Sequence, residues 1–64
     1  MITSQFYFDE KKRESHEIWH EFVNGTYHFW DKNKSTGISS SLTKRIYVNT
    51  LKKYQLETWE LNQL

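Results

Sequence analysis

Asn24-Gly25 stands between Glu17–Val23 and Thr26–Trp30, two runs rich in aromatic and β-branched residues. This dipeptide constrains the chain more than any other feature. Both central residues of a type I′ turn need positive φ, and Asn-Gly supplies it at little cost. A two-residue turn also fixes register. It sets Val23 opposite Thr26, Phe22 opposite Tyr27 and Trp19 opposite Trp30, the last a stabilising cross-strand aromatic pair. A rival reading makes residues 10–24 a helix, with Asp9 as N-cap and Gly25 as C-terminal cap. Ile18, Trp19, Phe22 and Val23 then share one arc, while Glu10, Glu14, Glu17 and Glu21 line the opposite side. The turn chemistry selects the hairpin.

On either side of the hairpin the pattern is shorter. Residues 5–8, "QFYF", read as a strand entering the core. After Trp30, "DKNKSTG" is a polar loop punctuated by Gly37. Residues 44–49, "KRIYVN", alternate Ile46 and Val48 against Tyr47 and read as a further strand. Asn49 or Thr50 then caps a closing helix with Leu51, Tyr54, Thr58 and Leu61 on one stripe and Trp59 near its edge. The expected fold is α+β, a small antiparallel three- to four-stranded sheet with one C-terminal helix packed on it. The alternative is two helices, 10–24 and 50–62, around a short sheet.

At 64 residues the chain has room for a single small domain, residues 1–64. A domain of this size buries only about 60% of the surface its unfolded chain exposes. Cysteine is absent, which removes both disulfides and cysteine-ligated zinc as supports. The load falls on three Trp, four Tyr and four Phe. Each of these buries about 150–250 Å² when enclosed.

Residues 16–20, "HEIWH", match H-E-x-x-H, the zinc-protease signature. That chemistry needs both histidines one helical turn apart so that they reach one metal, with the glutamate as base. On a strand, His16 and His20 share a face but stand about 13 Å apart, four rises of about 3.3 Å. Catalytic zinc also needs a third protein ligand and a dry cleft, and His28 is the one histidine left. The hairpin therefore leaves the two histidines as solvated neighbours of an acidic face. No cysteine nucleophile and no phosphate-binding glycine loop is present either, since "STGISSSL" lacks the required lysine and spacing. The expectation is a chain without catalytic residues, metal or cofactor.

Charge is strongly segregated. Residues 1–31 carry −3, residues 32–53 carry +6 with no acid, and the last eleven carry −2. The basic segment joins Lys32, Lys34, Lys44, Arg45, Lys52 and Lys53 to Tyr47 and a run of hydroxyls. Lysine and arginine hold phosphates, serine and threonine add hydrogen bonds, and exposed aromatics stack on bases. The sequence thus points first to a nucleic-acid-binding protein that uses these seven residues, with a sheet presenting Lys44, Arg45 and Tyr47 beside a loop carrying Lys32 and Lys34. The alternative is a protein–protein inhibitor or adaptor. In it Glu10, Glu14, Glu17 and Glu21 imitate a row of phosphates, and Trp19 or Trp30 anchors the contact. Either partner is compatible with a homo-oligomer. Residues 1–12 hold no apolar run beyond Phe6-Tyr7-Phe8, too short for a secretory leader of about 7–15 apolar residues or a spanning helix of about 20. The expectation is a cytoplasmic chain with no membrane partner and no small-molecule substrate.

Overall fold

A computed structural model describes residues 3–58. Four strands, β1 (Thr3–Asp9), β2 (Glu14–Val23), β3 (Thr26–Asn33) and β4 (Ser39–Leu42), precede one helix, α1 (Lys44–Lys53). The strands form one antiparallel sheet in chain order, β1-β2-β3-β4. The α+β architecture expected from sequence is the architecture found. The two-helix alternative is not, because residues 14–23 are extended throughout.

The β2–β3 hairpin has the register its turn demands. Val23 pairs with Thr26, Phe22 with Tyr27 and Trp19 with Trp30. Asn24 and Gly25 lie at φ 53° and 76°, the left-handed region that a two-residue hairpin turn requires. A Cβ added at Gly25 would meet nothing within 4 Å, so the cost of a side chain there is backbone strain alone. Gly25→Ala is therefore expected to lower stability by about 1–2 kcal/mol. A fall in the urea midpoint with an unchanged m-value checks this.

Elsewhere the turns are held by side chains. Asp9 accepts from the backbone N–H groups of Lys11 (3.0 Å) and Lys12 (3.2 Å), closing the β1–β2 connection. The amides of Lys12 and then Lys11 also hold the Asp9 carboxyl below its usual range. Asn33 accepts from Ser35 N–H and Thr36 N–H at 2.9 and 3.2 Å, shaping the loop into β4. Local side-chain bonds of this kind are why Asp and Asn mark turns.

The stretch 44–49, expected as a strand, is the first half of α1. Thr43 is the N-cap, and its hydroxyl accepts from Ile46 N–H at 3.2 Å. Tyr47 and Leu51, one turn apart, face inward and are fully buried, while Ile46 points to solvent. The apparent alternation of Ile46, Tyr47 and Val48 was a helix seen edge on. The helix stops at Tyr54 because Gln55 turns left-handed (φ 56°), letting Leu56 N–H reach Leu51 O at 2.8 Å and Gln55 N–H reach Lys52 O at 3.2 Å. This is a Schellman ending, and Leu56 packs on the core as its hydrophobic clasp. Of the expected closing stripe, Trp59 and Leu61 lie outside the described residues.

Beyond the helix, Gln5 and Glu57 bracket the chain. The Gln5 side-chain amide donates to Glu57 O and accepts from Glu57 N–H, each at 2.8 Å. Strand pairing sorts the sheet into two faces, because successive side chains alternate. Gln5, Tyr7, His16, Ile18, His20, Phe29, Asp31 and Leu42 share the side that α1 covers. There Ile18, Phe29, Tyr47 and Leu51 make the core. Phe6, Phe8, Glu17, Trp19, Glu21, Trp30 and Lys32 share the other side, which no described element covers. Phe6 and Phe8, expected to enter the core with their strand, are instead 57% and 51% exposed.

Candidate nucleic-acid interface

The seven residues proposed for nucleic acid do not come together. Four of them do. Lys44, Arg45, Lys52 and Lys53 all lie on α1 and all are exposed. Spacing of 3.6 residues per turn puts Arg45, Asn49 and Lys52 on one stripe, turned away from buried Tyr47 and Leu51. Lys53 flanks that stripe, whereas Lys44 falls on the Leu51 side of the helix and reaches solvent from its first turn. No carboxylate occurs in the helix, so every charge it carries is positive, with Asn49 and exposed Ile46 between them.

Helix stability explains only half of this pattern. Lys52 and Lys53 in the last turn complement the negative end of the macrodipole. Lys44 and Arg45 occupy the first turn, where no acid stands and a cation costs about 0.3–1 kcal/mol. Their cost to the helix sets them apart from ordinary solvated charge.

Lys32 and Lys34 belong to the opposite side of the molecule. Lys32 lies on the open sheet face, between Glu17 and Ser39 in the pairing. Lys34 places its ammonium 4.6 Å from the Phe6 ring centroid, a cation–π contact on that same side. Tyr47 is removed from any surface. It is fully buried, and its hydroxyl meets His20 Nδ1 at 2.8 Å. Expected as an exposed stacking residue, it is a core residue, because the segment that carries it is a helix with that side inward.

The glutamate row of the alternative reading also divides. Four residues recurring at helical spacing form a stripe only on a helix. Here Glu10 sits in the β1–β2 turn, and Glu14 faces the helix side, where Asn33 donates to it. Glu17 and Glu21 remain together on the open face beside Trp19 and Trp30. The two indoles stack, with ring centroids 6.4 Å apart and planes 18° from parallel.

"HEIWH" lies on β2, so its histidines lack the one-turn spacing that a zincin requires. Among the described residues no three of His, Cys, Asp and Glu converge as metal ligands. Neither histidine is a solvated bystander, however. His16 stacks on Tyr7 (5.0 Å, 8°) and donates through Nδ1–H to Asp31 at 2.8 Å, since a carboxylate can only accept. Tyr7 donates its hydroxyl to the second oxygen of Asp31. Desolvation first, and then that bond, push the Tyr7 phenol well above its ordinary value. The cluster floors a cleft of about 470 Å³ that Lys12, Asn33 and Leu42 help to line. Sequence reasoning missed it, because nothing in residues 7, 16 and 31 announces that three strands align them.

His20 and Tyr47 form the polar seam of the core. Burial pushes the Tyr47 phenol up to about 12 and lowers His20 below the ordinary imidazole value of 6.5. The folded chain therefore binds fewer protons at His20 than the unfolded chain does. Stability from this site is complete above pH 6.5 and is lost as pH falls through the depressed folded value. Replacing His20 with Gln is expected to flatten the rise of stability with pH on the acid side of neutrality. Urea midpoints of both chains across that range check it; equal slopes contradict it.

No family model matches this chain, and no curated protein or solved structure resembles it significantly. Among the described residues no helix is long and apolar enough to cross a membrane.

Proposed function

We propose that this chain is a non-enzymatic nucleic-acid-binding protein that lays the outer face of α1 against duplex DNA. The observation that carries the reading is α1 itself, a helix with four exposed cations and no acid, two of whose charges the helix disfavours. A ten-residue helix is about 15 Å long, and the major groove, about 12 Å wide, admits one. Lys44, Arg45, Lys52 and Lys53 supply phosphate contacts, and Asn49 between Arg45 and Lys52 has the amide that base edges and phosphates both accept.

Duplex is favoured over single strand by where the aromatics lie. Single-strand binders combine cations and stacking rings in one groove. In this chain α1 itself carries no exposed ring: Tyr47 is buried and Tyr54 stacks at 4.3 Å on Tyr7. Phe6 and Phe8 lie on the side opposite α1. Phe22 and Tyr27, exposed on the side of α1, stand at the β2–β3 turn and contact each other at 4.7 Å. The open face also carries Glu17 and Glu21, which repel phosphate. The inhibitor alternative keeps only those two glutamates beside the tryptophans.

Fluorescence anisotropy with a labelled duplex and with its separated strand tests this. The expected result is tighter binding to the duplex, weakening roughly a hundredfold between 50 and 200 mM salt for about four phosphate contacts. Preference for the single strand, or no binding at the lower salt, contradicts the proposal.

A further inference from the structure

The open face of the sheet has an order of its own. Its centre is the stacked Trp19–Trp30 pair, and its two middle strands differ in their polar groups, two carboxylates on β2 against an ammonium and an imidazole on β3. On β2 the tryptophan is flanked by Glu17 and Glu21. On β3 the residues paired with those two are Lys32 and His28. Each carboxylate thus has a nitrogen-bearing side chain at its level on the neighbouring strand, an ammonium at one and an imidazole at the other. Around this centre Phe6, Phe8 and Val23 are 57%, 51% and 43% exposed.

We infer that this face binds a second copy of the chain, about a two-fold axis that runs parallel to the strands between β2 and β3. Rotation about that axis lays β2 of one copy over β3 of the other without shifting residues along the strand. Glu17 then meets Lys32 of the other copy, Glu21 meets His28, and Trp19 meets Trp30, each twice by symmetry. The charge pattern selects this axis. A two-fold perpendicular to the strands through the tryptophan level stacks β2 on β2, setting Glu17 against Glu21, which is repulsive. The same pattern speaks against nucleic acid here, because two carboxylates flank the aromatic centre.

Packing of two sheets face to face buries the rings now exposed, with strands within about 30° of alignment. Four strands about 4.8 Å apart and seven residues deep give a footprint of about 20 by 24 Å. That is smaller than the roughly 800 Å² per partner of a standard interface, which points to micromolar association. The helix faces stay outward, so the two copies leave α1 uncovered. Pairing of the sheets is therefore independent of what α1 binds.

Sedimentation equilibrium from about 5 to about 500 μM chain tests it, a range set by the expected micromolar affinity. The wild-type mass is expected to rise from one chain to two. Glu17→Lys and Lys32→Glu, each made alone and each checked for a native circular dichroism spectrum, place like charges in the contact and are expected to weaken association at least tenfold. In an equimolar mixture of these two variants, one chain carries lysine at both positions and the other carries glutamate at both. Opposite charges then meet again across the contact, and the mixture is expected to recover the dimer. A wild-type mass that stays at one chain throughout overturns the inference without recourse to any variant. So does a dimer that both reversals leave intact, or a mixture no better associated than its components.

Discussion

Tyr47→Ala is expected to leave most of the chain unfolded at 25 °C. Tyr47 is fully buried and is the bulkiest of the three side chains that are, among the described residues. Its ring packs 4.8 Å from Phe29 and edge-on to His20 at 5.7 Å, and its hydroxyl meets His20 Nδ1. Truncating a buried aromatic to alanine costs about 3–5 kcal/mol. In a chain of 64 residues a single hydrophobic core rarely supplies more than about 3–5 kcal/mol of stability. Among the described residues the buried core has four members, so the loss of one is a large share of it. Tyr47→Phe keeps the ring and loses the hydrogen bond, about 1–2 kcal/mol, and is expected to stay folded. Circular dichroism without denaturant, with urea midpoints for the chains that fold, reads this directly. A Tyr47→Ala midpoint equal to wild type contradicts the buried placement.

Reversing two charges on α1 is expected to abolish nucleic-acid binding without unfolding the protein. In Arg45→Glu/Lys52→Glu the outer stripe changes from two cations to two anions, and Lys44 and Lys53 are left beside them. Each lost phosphate contact removes a counterion-release term, and each new carboxylate repels the backbone, so duplex affinity is expected to fall at least a hundredfold at 50 mM salt. The fold is insulated from the change. A glutamate at position 45 suits the helix N-terminus by about 0.3–1 kcal/mol, and one at position 52 costs about as much near the C-terminus. The two effects offset. Unchanged thermal unfolding beside lost binding is the expected pair of results; retained binding contradicts the assignment of α1.

Some of this organisation is legible in the sequence, and the reasons are local. Asn24-Gly25 dictates its turn from two residues, and the turn dictates the pairings along both strands by geometry alone. That is why Trp19 opposite Trp30 could be read from the sequence and is found. Residues 44–49 mislead because Ile46 and Val48 are β-branched and alternate with Tyr47 over a span too short to separate a period of two from one of 3.6. The decisive signals were Thr43 as cap and Tyr47, Leu51 and Tyr54 at i, i+4 and i+7. Cation number was visible in composition; cation position was not. Lys32 and Lys34 fall on one side of the molecule and Lys44 and Arg45 on the other because α1 packs on one face of the sheet while those two lysines reach the opposite face. No run of sequence encodes this. The Tyr7–Asp31–His16 cluster is hidden for the same reason, being assembled by register across three strands.

The proposal that α1 holds duplex DNA stands or falls on one comparison, the dependence of log affinity on log salt for three chains. Four phosphate contacts give the wild type a slope of about −3 to −4, from roughly −0.9 per contact. Lys44→Gln/Arg45→Gln is expected to make the slope shallower by about 2, and Lys32→Gln/Lys34→Gln, on the far side of the sheet, to leave it unaltered. A slope that flattens with Lys32 and Lys34 removed but not with Lys44 and Arg45 removed contradicts the account.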